Sequence, residues 1–348
     1  MGQRIAIVLF NLGGPDNQDA VQPFLQNLFS DPAIIRVPGP LRWALARFIS
    51  HTRAKSARAN YAKMGGGSPL VPESTKQARA LEAAVKTIPG YETADVKAFL
   101  AMRYWKPFTA DAVADVKAFA PDQTILLPLY PQFSTTTTDS SLKAWQEAGG
   151  GAAKLVCCYP DAPGFIGAHA NAVLETWQKG GAPQKVRILW SAHGLPEKVI
   201  ADGDPYQKQV EETVAALKPL LPNHFEHAIC YQSRVGPMKW IGPSTEVEID
   251  RAAVDQIGVI VVPIAFVSEH IETLVELDEE YAEKAHEAGV PFYWRAPALG
   301  TRAEFINELA KIATDVLASD QNIVAVRQGG CIVACPACPR GYEGGCQA

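Results

Sequence analysis

Two segments hold residue types whose spacing could move protons or hold a metal. In SAHGLP (191–196), His193 follows an apolar run and precedes a Gly/Pro turn. A histidine there stands at the rim of a sheet, and its ordinary pKa of about 6.5 lets it accept a proton at neutral pH. The same motif could also serve a purely structural histidine. In FVSEHIETLVELDEEYAEKAHE (266–287), Glu269, Glu272, Glu276 and Glu280 recur at i, i+3, i+7 and i+11. At about 100° per residue they span about 80° of a helix surface and form one stripe. The stretch 269–287 has eight acidic residues against one lysine, so it is either a solvated acidic face or a line of oxygen ligands. The stripe begins directly after the apolar run VIVVPIAF (259–266). Its first members therefore lie near the carboxyl end of a buried strand, which favours a relay for a divalent cation.

The C-terminal tail, GGCIVACPACPRGYEGGCQA, spaces Cys331, Cys335, Cys338 and Cys346 as C-x3-C-x2-C-x7-C. Four cysteines so close, with no histidine nearby, predict a thiolate-only site holding zinc or an iron–sulfur cluster. Cys230 sits in an apolar run and reads as buried.

The elements that position these residues follow from alternating periodicities. Short apolar, β-branched runs predict strands at 4–11, 95–102, 124–130, 154–157, 185–192, 225–232, 258–266 and 290–295. Amphipathic segments predict helices at 17–29, 73–87, 109–119, 164–178, 206–219, 270–287 and 302–318. Strands alternating with helices give an α/β fold with parallel sheets. IAIVLFNLGGP (5–15) and VRILWSAHGLP (186–196) are alike, which suggests two similar Rossmann-like lobes. Each would be a four-stranded parallel sheet flanked by helices, with a ligand cleft between them. The expected division is 1–165, 166–320 and a cysteine-rich tail 321–348, with helix 302–318 free to pack back on the first lobe.

The chain has 348 residues, 47% hydrophobic and 20% charged, with net charge −5. That is globular composition without the basic field a nucleic-acid binder carries. No G-x-G-x-x-G or P-loop follows a strand, so no nucleotide is expected. The N-terminus enters a strand pattern at once and no apolar run is long enough to span a bilayer, so a cytoplasmic protein is expected. Residues 33–72 contain no acid but include Arg36, Arg42, Arg47, Arg53, Lys55, Arg58 and Lys63, interleaved with Trp43, Phe48 and Ile49. This is either a solvated basic helix face or a lip (33–63) for an anionic, apolar partner, a membrane surface or a carboxylate-bearing ligand. YAKMGGGSPL (61–70), RYWKP (103–107) and LYPQFSTTTT (129–138) place flexible glycines, aromatics and Arg103 where a flat anionic ligand could bind.

Taken together, NLGGP (11–15), Tyr61 with GGGSP (65–69), RYWKP, YPQFSTT (130–136), SAHGLP, YQSRVGPMKWIGP (231–243) and FVSEHIETLVELDEEY resemble the ferrochelatases, in order over nearly the whole chain. The resemblance implies insertion of ferrous iron into protoporphyrin IX. It assigns His193 and Glu272 as metal ligands and proton acceptors, with Glu269, Glu276 and Glu280 as a metal relay. It also implies a π-type irregularity in the acidic helix. Leu12, Tyr61, Ser68, Arg103, Tyr104 and Tyr130 match positions that line the porphyrin pocket. The tail is expected to hold a [2Fe–2S] cluster. Relatives of the animal type draw one ligand from mid-chain, where this sequence has Thr135, so either all four ligands come from the tail or Cys158 or Cys157 replaces one. A homodimer and peripheral contact at the inner face of a membrane are compatible with this reading. Its rivals are a coproporphyrin ferrochelatase, another tetrapyrrole chelatase, or a non-catalytic haem or iron–sulfur carrier. The last would not need the carboxylate stripe.

Overall fold

The computed structural model describes residues 2–234 and 238–327. In chain order the first elements are β1 (Arg4–Asn11), α1 (Val21–Ser30), α2 (Gly39–Lys63), α3 (Leu70–Val85), β2 (Asp95–Met102), α4 (Thr109–Phe119), β3 (Gln123–Pro128), α5 (Thr138–Glu147) and β4 (Lys154–Cys158). Then come α6 (Pro163–Lys179), β5 (Val186–His193), α7 (Glu197–Ala201), α8 (Tyr206–Leu217), β6 (Glu226–Gln232), α9 (Thr245–Val254) and β7 (Gly258–Pro263). A π-helix (Glu272–Glu280), α10 (Tyr281–Ala288), β8 (Tyr293–Arg295), α11 (Ala303–Ala318) and β9 (Ile323–Ala325) complete the described chain.

Two sheets result. The first has the order β2-β1-β3-β4-β9, and its β1–β2, β1–β3 and β3–β4 pairs are parallel. The second, β6-β5-β7-β8, is parallel throughout. The fifth strand of the first sheet departs from the expected four. Its three residues, Ile323–Ala325, form an apolar run too short for a strand pattern to register. The structure clusters into two compact units. One is the described chain through Tyr130 with Ser134–Cys157 and Leu309–Val324; the other is Pro131–Phe133, Cys158–Glu308 and the described residues from Ala325.

Central strands explain their own composition. β1 is buried from its second residue to its last, and β7 is buried throughout. Helices cover both faces of a parallel sheet, so both side-chain directions must be apolar. In the first unit Phe10, Phe99, Val113, Leu126 and Trp145 pack together; in the second, Leu189, Ile249, Val261, Leu277 and Tyr281 do.

The basic stretch 33–63 is largely one 25-residue helix, α2. It buries Ala46, Ser50 and Ala54, at i, i+4 and i+8, and Tyr61 near its end, and packs beside α1. Small residues allow that close approach but give a weak hydrophobic signal. Leu41, Trp43 and Phe48 are exposed at 52%, 58% and 67%, so these three large apolar residues do not mark its core face.

NLGGP and GGGSP fit together for a steric reason. A Cβ on Gly14 would stand 2.5 Å from the Ser68 side chain, and one on Gly67 would stand 2.6 Å from the Asp16 carbonyl oxygen. The Ser68 amide donates to the Pro15 carbonyl at 2.7 Å across this contact. Glycine leaves room for the Ser68 side chain at position 14 and for the facing backbone at position 67.

Candidate functional site

The second sheet delivers His193 to its carboxyl edge. His193 is the last residue of β5 and pairs in register with Gln232, the last of β6, while Ser191 pairs with Pro263, the last of β7. Two further backbone bonds, Gly194 to the Gln232 carbonyl (2.8 Å) and Ile264 to the Ser191 carbonyl (3.0 Å), carry the ladder past the strand ends. Three strands thus end around one histidine, which keeps 37% of its side chain accessible.

The chain then turns from β7 into the π-helix. Thr273 closes the turn, donating from its hydroxyl to the His270 carbonyl and accepting the His270 amide, both at 2.9 Å. In the i→i+5 ladder that follows, residues four apart share a face, so Glu272, Glu276 and Glu280 stay aligned. Glu280 is exposed. A 100° period is thus replaced by a wider turn, as the resemblance implied.

Glu272 lies between two imidazoles. Its Oε1 is 3.1 Å from His193 Nδ1 and its Oε2 is 2.8 Å from His270 Nε2. The contact with His193 is close but off the line of a ring N–H bond. The His270 contact is a hydrogen bond, and that ring's Nδ1 meets the Ser268 carbonyl at 3.1 Å. Phe266 packs on both rings, with centroids 6.4 Å from His193 and 4.4 Å from His270.

These contacts set the electrostatics. Burial alone would lower the pKa of His193, but the negative charges of Glu272 and Glu276 outweigh it and raise it. Burial would raise the Glu272 carboxyl, yet His193 and His270 hold it well below the usual carboxylate range. Glu276 moves the other way. Burial and repulsion from Glu272 raise it, despite hydrogen bonds from Ser233 and Gln232 that oppose the shift. The site therefore holds one firmly ionised carboxylate, an imidazole inclined to bind a proton, and a second carboxylate that gives up its proton less readily. Such a set can accept and pass on protons in sequence.

Neighbours fix the carboxylates. Glu276 accepts from Gln232 Nε2 (2.9 Å), the Ser233 amide (2.9 Å), the Ser233 hydroxyl (2.5 Å) and the Tyr281 hydroxyl (3.0 Å). The Ser191 hydroxyl donates to Gln232 Oε1 at 2.7 Å, which orients that amide, and Gln232 Nε2 also reaches the Glu272 carbonyl at 3.1 Å. Glu269 pairs with Arg295 at 2.9 Å and accepts the Ala298 amide at 2.9 Å. His270, Gln232, Ser233, Tyr281 and Arg295 had no role from sequence. His270 was legible as the histidine two residues before Glu272 in HIE. The others come into contact only through the tertiary fold.

The residues matched to a porphyrin pocket lie in the first unit. Arg103 Nη2 is 2.9 Å from Asp31 Oδ2, and the same oxygen accepts the Tyr104 hydroxyl at 2.8 Å and the Ser140 hydroxyl at 2.5 Å. Tyr104 is fully buried, Tyr61 and Tyr130 nearly so, while Leu12 and Ser68 are half-buried. Arg103 thus already has a carboxylate partner. Cys158 is buried, and its carbonyl accepts the Val326 amide at 2.9 Å. Cys331, Cys335, Cys338 and Cys346 lie outside the described residues. Among the described residues no group of three or more His, Cys, Asp or Glu could hold a metal ion, and no helix is long and apolar enough to cross a membrane.

Comparison with known proteins adds the following. A family model described as Ferrochelatase matches residues 4–317. A ferrochelatase of Caulobacter vibrioides is 62% identical over 318 residues, covering 90% of this chain and 91% of its own. One from Hyphomonas neptunium is 51% identical over 351 residues, covering 100% of this chain and 96% of its own. Among solved structures, SirB from Bacillus subtilis with Fe3+ shares the fold at a TM-score of 0.52 and 12% identity, covering 91% of this chain and 96% of its own.

Proposed function

The chain belongs to the ferrochelatase family, and on that premise we propose that it inserts ferrous iron into protoporphyrin IX, with His193 and Glu272 at the reacting centre. The observation that carries the assignment of residues is Glu272 bridging His193 and His270 at 3.1 and 2.8 Å. Insertion exchanges two pyrrole protons for one Fe2+, so a site must take up two protons and balance a dication. His193 Nδ1 is turned to Glu272, which leaves Nε2 to receive the first pyrrole proton; passed on through Glu272 to Glu276 and Glu280, that proton frees Nε2 to receive the second. Glu272 stabilises the imidazolium that forms, and His270 keeps the carboxylate ionised and aimed. Distortion of the flat ring toward the metal would be offset by binding energy from the rest of the macrocycle.

The relay expected of Glu269, Glu276 and Glu280 narrows in this proposal to the last two. Glu269 is held by Arg295 and Ala298, while Glu276 and Glu280 continue the face of Glu272 outward. Leu12, Tyr61, Ser68, Arg103, Tyr104 and Tyr130 remain the proposed porphyrin-facing set, with Tyr104 acting through Asp31 rather than by contact. The tail is proposed to bind a [2Fe–2S] cluster, supported by its C-x3-C-x2-C-x7-C spacing, with Cys158 as an alternative ligand. The exposed Trp43 and Phe48 beside Arg42 and Arg47 support peripheral contact of α2 with an anionic membrane surface. The test is a panel of protoporphyrin IX, coproporphyrin and sirohydrochlorin, each with Fe2+ and Co2+ under anaerobic conditions. Protoporphyrin with Fe2+ should turn over fastest. Preference for another tetrapyrrole would overturn the substrate assignment, and silence on all would favour a carrier.

A further inference from the structure

Arg295 ends β8 with only 11% of its side chain accessible, and its guanidinium makes a fork with two carboxylates. Nε and Nη2 donate to the two oxygens of Asp278 at 2.5 and 2.8 Å. Nη1 donates to Glu269 Oε1 at 2.9 Å. Glu269 precedes Glu272 by three residues and Asp278 follows it by six, so one planar cation ties both sides of the wide-turned segment. The same strand supplies Tyr293, whose hydroxyl donates to the Leu277 carbonyl at 2.9 Å. π-geometry is rare and occurs mostly as single turns inside α-helices, so a nine-residue segment that keeps it gains from ties outside itself.

We propose that Arg295 is a positioning residue for metal insertion: by clamping Glu269 and Asp278 it keeps the π-turn open and holds Glu272 in register with His193 and His270. This rests on the reading of His193 and Glu272 given above. Without the fork, the segment can relax toward α-geometry, and residues after the wide turn rotate relative to those before it. A displacement of about 1 Å at a reacting group can cost about a hundredfold in rate. Lysine keeps the charge but lacks the planar fork that spans two carboxylates.

The experiment measures kcat and KM for porphyrin and Fe2+ on the whole protein, for wild type, Arg295→Lys, Asp278→Asn and Lys284→Gln, with folded content followed by circular dichroism. Lys284 pairs with Asp250 on α9, so its substitution controls for loss of a surface ion pair and should leave kcat unchanged. Arg295→Lys is expected to stay folded with kcat about ten- to a hundredfold lower and KM for porphyrin within twofold. A purely structural tie would lower folded content and leave kcat per folded molecule intact. Folded Arg295→Lys with kcat within twofold of wild type overturns the clamp. Should Arg295→Lys fail to fold, Asp278→Asn decides: a kcat at least threefold lower at normal folded content supports the clamp, and an unchanged kcat overturns it. Absence of metal insertion by wild type would instead refute the reading on which the clamp rests.

Discussion

Glu272→Gln isolates the charge at the centre of the site. The substitution preserves shape and removes the anion between two imidazoles. At 3.1 Å and an effective dielectric of about 20, a unit-charge pair is worth about 5 kcal/mol. His193 is 37% accessible and Glu272 23%, so solvent screening reduces this to about 1–3 kcal/mol. At about 1.4 kcal/mol per tenfold, that is about ten- to a hundredfold in the stability of the imidazolium formed as the pyrrole proton leaves. Loss of a proton acceptor adds a further factor of about 10²–10⁴ if Glu272 itself takes a proton. The expected result is therefore a kcat at least tenfold lower, with KM for porphyrin little changed because the residues proposed to face the ring are others. The assay is anaerobic appearance of haem absorbance with Fe2+ and saturating porphyrin. A kcat within threefold of wild type would refute the claim that this carboxylate stabilises the developing charge.

Three further outcomes follow from other parts of the molecule. His169 is fully buried against the edge of Phe165 at 4.8 Å, and burial, aided by the Arg302 charge, pushes its pKa down to about 3. The unfolded chain then binds one more proton between that value and the ordinary one near 6.5, so stability is full above about pH 6.5 and falls by about 1.4 kcal/mol per pH unit below it. Urea unfolding of His169→Leu should show a slope shallower by one proton in that window, and an identical slope would sink the argument. Cys338→Ser should abolish the visible absorbance of the proposed cluster; retained absorbance removes Cys338 from the ligand set. Replacing Trp43 and Phe48 together by Ser should weaken sedimentation with anionic vesicles severalfold, and undiminished binding would dissociate α2 from the membrane.

The fold was legible where burial is two-sided. β1, β2 and α4 have the bounds expected from periodicity, since apolar runs and a clear amphipathic face end at turn residues. α2 was legible only as a basic helix face without bounds, because its buried residues before Tyr61 are Ala46, Ser50 and Ala54, whose packing depends on small size and leaves little hydrophobic signal, while Trp43 and Phe48 face outward. β9 escaped because three residues are too few to show a period. At the site, SAHGLP and HIETL named His193 and Glu272, and the structure brings them to 3.1 Å. The ties that fix the acidic stripe were not legible: Arg295 reads as an ordinary strand end, and its meeting with Glu269, 26 residues away, depends on how β8 is placed beside β7.

The most direct measurement is anaerobic haem formation from protoporphyrin IX and Fe2+ by wild type and His193→Ala, each confirmed as folded. The account predicts haem from wild type and a loss of about a hundredfold or more in the variant, with porphyrin still bound. Haem formation by His193→Ala at the wild-type rate would contradict it.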